Sequence, residues 1–401
     1  MIAPLVAAAL VLNASPPARA DLHVHLTMSD ALPAFRGEVD GPLLARHPDQ
    51  WLRNQLTTEG LRAAQVQLVV GTLWPPWALR PARSRFDESL HAVEALRRFT
   101  RRHAGFVIAE NPEHARRLMA RDLIAVVPHL EGTQGVRSAD DIDVLYAAGV
   151  RSLGLVHFAD NALAEAREGQ FGPLSDLLQR RRKAEEGGLT PLGREVVERM
   201  IALGMIIDLA HANERTQDAV LALAEAKGVP VMYSHAGSEL RVVRTLDEAR
   251  SRRIAEGGGI IGIGVFRHDM LLPVPEESRL PGHVLDTCDD TVAHWRHYAK
   301  LAGAQNVMLG SDFNSPIHRP RAGGSCPHGI RNVTDLPDLF GALERHGVPR
   351  EAIDGSAERL LQLWERVEGA ADPQARASAR ALQSTRTRPR EEPATERDSP
   401  L

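Results

Sequence analysis

Between residues 21 and 312 the chain alternates short apolar runs with longer amphipathic stretches. The runs are 21–26 "DLHVHL", 65–73 "QVQLVVGTL", 123–130 "LIAVVPHL", 150–157 "VRSLGLVH", 204–210 "GMIIDLA", 229–235 "VPVMYSH", 258–266 "GGIIGIGVF" and 306–312 "NVMLGSD". Short runs that are apolar on both faces are the pattern of parallel strands covered by helices. The segments between them carry helix signals. In "TPLGREVVERMIAL" (190–203), Thr190 stands where a cap is needed and Pro191 opens the first turn. Val196, Val197, Met200, Ile201 and Leu203 form an apolar stripe, which Gly204 ends. "NERTQDAVLALAEAKG" (213–228) repeats the scheme and again closes on glycine. Eight strand–helix units in succession predict an α/β fold, a (β/α)8 TIM-type barrel forming a single catalytic domain. A doubly wound open sheet is the alternative, but no G-x-G-x-x-G follows the first strand.

Composition agrees with a soluble globular protein. The 401 residues are 43% hydrophobic and 25% charged, with a formal net charge of −4. That charge gives nucleic acid no reason to bind, and no basic cluster alternates with aromatics. The two cysteines, Cys288 and Cys326, make neither a disulfide framework nor a C-x-x-C site and read as buried or free thiols. The ends read differently from the middle. Residues 3–12 are apolar and "ARA" at 18–20 resembles a signal-peptidase site, so residues 1–20 are expected to be a signal-like segment and the protein to be exported, with a cytoplasmic protein as the alternative. Against export, no Lys or Arg precedes the apolar run, and cleavage after Ala20 would leave His23 third in the mature chain. Ten apolar residues are too few for a transmembrane span. The barrel is expected over 21–368. Residues 369–401 contain no Val beyond the barrel and no Ile, Phe or Trp, which predicts a disordered tail.

The chemistry-bearing side chains sit where barrel active sites are built, at the C-terminal ends of strands. His23 and His25 lie two apart on the first run and so share one face. Glu131 follows the third run ("HLEG"), His157 ends the fourth, His211 follows the fifth ("DLAH"), His235 ends the sixth and Asp312 ends the eighth. Most other histidines, including His91, His103, His114, His297 and His346, lie in polar helical stretches and read as surface. His129, two residues before Glu131, is a secondary candidate on the same face, while His283 and His318 sit in late loops. Four imidazoles and two carboxylates suit two borderline-soft divalent ions with a carboxylate between them. Two ions held about 3.5–4 Å apart can share a water, lower its pKa and polarise a carbonyl. A carboxylate on the last strand can take that water's proton and return it to a leaving amine, and His157 is left free to hydrogen-bond the oxyanion. This chemistry fits hydrolysis of an acyl C–N or C–O bond; phosphoester hydrolysis shares it.

"HLEG", "GVRSLGLVHFADNALA", "GGLTPLGREVVERMIALGMIIDLAHANERT", "VPVMYSHAGSELR" and "NVMLGSDF" resemble, in order and spacing, the membrane (renal) dipeptidase family of zinc peptidases, a branch of the amidohydrolase barrels. "LPDLFGALERHGVPREAIDGSAERLLQLWERV" looks like that family's closing helices, so the resemblance runs from about 21 to 368. It implies a dinuclear zinc site that cleaves dipeptides, small-molecule substrates, in a protein that is often a homodimer. His23 and position 25 would hold one ion, Glu131 would bridge, and His211 and His235 would hold the other. Asp312 would be ligand and proton shuttle, His157 would polarise the substrate, and a downstream arginine, Arg244 rather than Arg241, would bind the dipeptide carboxylate. Some features depart from the family. Its usual H-x-D is here His23-Val24-His25, which removes one negative charge; the segment after His235 is shorter; and the late "GGN" reads "DGS" at 354–356. These leave room for a related amidohydrolase acting on N-acyl amino acids, cyclic amides or lactones. A catalytically inert barrel is disfavoured, because every ligand position keeps a competent side chain.

Overall fold

A computed structural model of the chain describes residues 17–32, 34–35, 38–41, 53–75, 85–166, 188–237, 246–267 and 276–386. Each of the eight apolar runs contains a strand: β1 (Arg19–Val24), β2 (Val66–Leu73), β4 (Ile124–Glu131), β5 (Ser152–Gly154), β6 (Ile206–Asp208), β7 (Met232–Ala236), β8 (Ile260–Ile263) and β9 (Val307–Leu309). All pairings are parallel, in the order β2-β1-β9-β8-β7-β6-β5-β4, and the β2–β4 pairing closes the ring. The result is a (β/α)8 barrel. The residues of these strands are buried almost throughout, as both faces are covered. A ninth strand, β3 (Phe106–Ile108), pairs with the start of β4 on the edge that β5 occupies at its end. Its three residues were too short a run for the pattern to reveal.

The helices begin and end where local chemistry dictates. In helix Pro191–Leu203 the Thr190 side chain accepts from the Gly193 amide and Gly204 takes the left-handed conformation, at φ 72°. In helix Glu214–Lys227 Asn213 caps through the Thr216 amide and Gly228 closes at φ 63°. Val196, Val197, Met200, Ile201 and Leu203 all face the core.

Three sequence expectations need correction. First, the boundary at residue 20 falls inside β1, since Arg19 and Ala20 are its first two residues. The Arg19 guanidinium donates to Asp354 and to the Ala64 carbonyl, and the Ala20 amide donates to Ser356 Oγ, so the barrel already includes them. Second, part of the expected disordered tail is helix Pro373–Arg386. Ala375 and Ala379 reach the core, and Arg376 donates to the Tyr146 hydroxyl and to Glu368. Its buried surface is methyl groups of alanine, which a search for large apolar residues overlooks. Third, Cys288 and Cys326 are not thiols but a disulfide with Cα atoms 5.9 Å apart, both side chains fully buried. Cys288 opens helix Cys288–Ala302, and the loop after β9 folds back onto that helix's first turn, where the Ser325 amide donates to Asp289. A separation of 38 residues gave no local sign of the pairing. No helix among the described residues is long and apolar enough to cross a membrane.

Candidate metal centre

The buried carboxylate of Glu131, the last residue of β4, lies at the mouth of the barrel with imidazoles on several sides. Its Oε1 is 3.0 Å from His211 Nε2, 3.3 Å from His23 Nε2, 3.5 Å from His157 Nε2 and 3.9 Å from His235 Nε2. Its Oε2 is 3.9 Å from His25 Nε2. Asp312 closes the group: its Oδ1 is 3.0 Å from His25 Nε2 and 3.7 Å from His23 Nε2. The structure therefore brings together His23, His25, Glu131, His157, His211, His235 and Asp312. Arg241 and Arg244 lie outside the described residues.

The local backbone explains how these side chains converge. The top of β1 continues to pair beyond its strand, with the Asp312 amide donating to the His23 carbonyl at 2.9 Å and the His25 amide to the Phe313 carbonyl at 3.0 Å. That pairing fixes His23, His25 and Asp312 as one block. His211 and Asp312 are held at φ 64° and φ 55°, the left-handed region that costs most residues energy. Such conformations persist where the surroundings over-determine them. At Asp312 the surroundings include Arg319, fully buried, which donates to the carbonyls of Val265, Ser311 and Asp312 and to Gln55 Oε1. Burial pushes its guanidinium down to about 10, so it remains a cation under the Asp312 turn. Gly132 follows Glu131 at φ 83°; a Cβ there would sit 3.0 Å from His157 Cβ, so only glycine lets the two loops meet.

Beneath the centre lies a layer that the sequence reading did not assemble. Ser234 Oγ donates to Asp208 Oδ2 at 2.6 Å and lies 3.2 Å from His23 Nδ1 and 2.8 Å from His235 Nδ1. His129 points inward as well, with Nδ1 2.9 Å from Ser152 Oγ and Nε2 3.3 Å from Asp208 Oδ2. The alternation of faces along β4 was the signal for His129. Asp208 and Ser234 could have been found as polar residues within otherwise apolar strands.

The electrostatics ask for positive charge. Burial alone would raise the Glu131 carboxyl, but the imidazoles around it, His157 and His23 foremost, hold it well below the usual carboxylate range. Burial likewise opposes the ionised form of Asp312, yet His25 and His23 keep its pKa low. His157 is driven down to about 3, chiefly by burial, and His129 to about 4 for the same reason; both are neutral rings. His235 is lowered well below its ordinary range by burial and by His23. Two buried atoms that face the centre, His23 Nε2 and Asp312 Oδ1, have no hydrogen-bond partner among the described residues despite these close approaches. His211 Nε2 and His235 Nε2 also face one another at 3.0 Å. Although burial opposes its charged form, His23 is raised to about 9 by Glu131 and then Asp312, so the centre draws positive charge to these donors, which a divalent cation among them would supply. Among the described residues, sets that could hold an ion include His23 with His25 and Asp312, and His23 with Glu131 and His235. The donors present fit one or more divalent ions.

The profile of a family described as membrane dipeptidase (peptidase family M19) matches residues 26–378, beginning just past His25. Two uncharacterized dipeptidases of Schizosaccharomyces pombe are similar to it. One is 30% identical over 245 residues, which is 59% of this chain and 52% of the relative; the other is 27% identical over 253 residues, 62% of this chain and 54% of the relative. The matched region thus spans about half the length of these relatives. Among solved structures, the probable dipeptidase PvdM from Pseudomonas aeruginosa superposes with a TM-score of 0.68 at 20% identity, covering 88% of this chain and 96% of that one. A metallo peptidase from Rhodobacter sphaeroides, liganded with a phosphinate mimic of the dipeptide L-Ala-D-Ala, superposes at 0.64 with 21% identity, covering 88% and 99%. At these identities the structural likeness speaks for the fold.

Proposed function

Because the chain belongs to the membrane dipeptidase family, peptidase family M19, we propose that it is a zinc-dependent dipeptidase in which Asp312 shuttles the proton. One observation carries this reading: His23, His25, His211, His235 and Asp312, drawn from distant parts of the chain, meet around the buried Glu131 carboxylate. The substrate assignment is supported by the family and by the dipeptide mimic bound to the Rhodobacter relative.

In this reading His23, His25 and Asp312 would hold one zinc ion and His211 and His235 a second, with the Glu131 carboxylate placed to serve both. When bound, the ions acidify a shared water and polarise the scissile carbonyl. The chain's own groups do the rest. Asp312, kept ionised by His25 and His23, accepts a proton and returns it to the departing amine. His157, neutral and beside Glu131, donates a hydrogen bond to the carbonyl oxygen as negative charge develops there. Arg244, or Arg241 in its place, pairs with the free carboxylate of the dipeptide. Export is the location we propose, and the Cys288–Cys326 disulfide supports it, since such bonds persist in oxidising compartments.

The test is a panel of L,L- and L,D-dipeptides beside N-acyl amino acids, cyclic amides and lactones, each with and without chelator. Dipeptide hydrolysis that chelation abolishes and zinc restores is expected, with about two zinc per chain by metal analysis. Turnover confined to lactones or N-acyl amino acids would replace the dipeptidase reading with the related amidohydrolase one. One zinc or none in the active protein would remove the dinuclear site.

A further inference from the structure

Five imidazoles within 3.9 Å of one carboxylate raise a question of sorting. A ring that ligates through Nε2 must leave that nitrogen bare, whereas a ring that donates a hydrogen bond from Nε2 must keep its proton there. What the Nδ1 atom meets on the far side decides between the two.

For His23 and His235 the partner is Ser234 Oγ, at 3.2 and 2.8 Å. That hydroxyl gives its one proton to Asp208 Oδ2 at 2.6 Å, so toward the imidazoles it can only accept. In their neutral forms both rings then carry the proton on Nδ1 and turn a bare Nε2 to the centre. His157 meets the opposite. Trp74, the residue after β2, donates its indole Nε1–H to His157 Nδ1 at 3.2 Å, and the rings meet edge to face with centroids 6.2 Å apart. Phe158 lies against the His157 ring, with centroids 3.7 Å apart, and helps to fix its plane. An indole N–H has no acceptor capacity. The Nδ1 that receives it must present a lone pair, which places the proton of His157 on Nε2, the atom 3.5 Å from Glu131 Oε1.

We propose that Trp74 is a positioning residue: by occupying Nδ1 with a donor, it holds His157 as the Nε2–H tautomer. That tautomer cannot ligate a metal through Nε2 and can donate to an oxygen that gains negative charge. His23 and His235 are thus set apart from His157 by what stands behind the ring, a serine oxygen in the first two and an indole N–H in the third. The use of the donor in turnover rests on the dipeptidase reading above; the tautomer does not.

The tautomer is read by nitrogen NMR of the zinc-loaded full chain with labelled histidine, the His157 signals being identified by their loss in His157→Ala. The expected pattern is a protonated Nε2 and a bare Nδ1. The reverse pattern in the unsubstituted protein overturns the proposal, whatever any variant does. Trp74→Phe keeps an aromatic ring while removing the indole donor. It is expected to lose the single-tautomer pattern and to lower kcat about 10- to 100-fold, toward the cost of one oxyanion donor, with KM and zinc content near those of the parent. In a His157→Ala background the same substitution is expected to cost less than about twofold, because a group acting through His157 has nothing left to act on. Multiplying losses would show that Trp74 acts by another route and would sink the positioning role. If the pattern is lost but kcat is unchanged, the tautomer assignment stands and the reading of His157 as oxyanion donor fails.

Discussion

Strand β1 (Arg19–Val24) runs from the base of the barrel to its mouth, and its two ends use charge in opposite ways. At the base, Arg19 donates from Nε to Asp354 Oδ1 at 3.0 Å and from Nη1 to the Ala64 carbonyl at 2.8 Å, while its guanidinium lies 4.5 Å over the Phe340 ring. Its hydrogen-bonding groups have partners within the chain. Four residues on, His23 is fully buried with Nε2 unpartnered and two carboxylates within 3.7 Å. Buried polar groups are almost always satisfied, so this contrast marks which end exists for stability and which for chemistry. Orphaned buried atoms cost stability that a fold retains only for another purpose.

If the division is real, changes at the mouth remove turnover and leave stability alone, and changes at the base do the reverse. The largest effect belongs to Asp312→Asn. The amide keeps an oxygen for a cation but cannot take a proton, so kcat is expected to fall about 10²- to 10⁴-fold, with most of the zinc retained. The melting temperature is expected to change little, since the amide fills the same space and the lost pairing with His25 and His23 is offset by the relief of burying a charge. Retained activity would send the search for the base elsewhere, and a collapse in stability would break the division itself.

Next comes the disulfide. Closing a loop of 38 residues is worth about 4 kcal/mol on the chain-entropy account. Cys288→Ala with Cys326→Ala is expected to lose about that much in chemical denaturation. Turnover at temperatures where the variant is folded should change less than about threefold, because the bond ties the loop to helix Cys288–Ala302 rather than to the centre. A larger loss would mean that the loop after β9 transmits its position to Asp312 through Arg319, whose guanidinium holds the Ser311 and Asp312 carbonyls.

The mouth was also the more legible end in the sequence, for a physical reason. The proposed ligands come from residue types that a core excludes and stand at strand ends, so His23, His25, Glu131, His211, His235 and Asp312 were visible against the apolar runs that carry them. The base is built from common interactions, and nothing in "ARADL" shows that Arg19 meets Asp354. Cys288 and Cys326 were hidden by sequence distance, and helix Pro373–Arg386 by the smallness of the alanines it buries. Trp74 was missed although position pointed to it. It follows run two, a strand end to which no acid–base or ligand residue had been assigned, and tryptophan titrates nothing. Its role lies in a proton held on another ring, a relation that exists only once β2 and β5 stand in the same barrel.

The smallest expected effect is also the sharpest test of the contrast, because it lies on the same strand as the proposed ligand His23. Arg19→Met keeps an unbranched apolar stem against Phe340 and deletes the charge. Asp354 is not left alone, since Arg350 Nε also donates to it at 3.1 Å, and its side chain is 18% exposed. The Ala64 carbonyl does lose its buried donor. The cost is therefore expected to be about 2 kcal/mol, that of a charge-assisted hydrogen bond with its partner partly re-solvated, rather than the larger penalty of an orphaned buried ion. Denaturant midpoints give that number, and zinc content and kcat measured alongside should stay within about twofold of the parent, as expected for sites that do not share partners. A drop in kcat with zinc lost in step would show that β1 carries displacement from Arg19 to His23, and the two ends would then be one device.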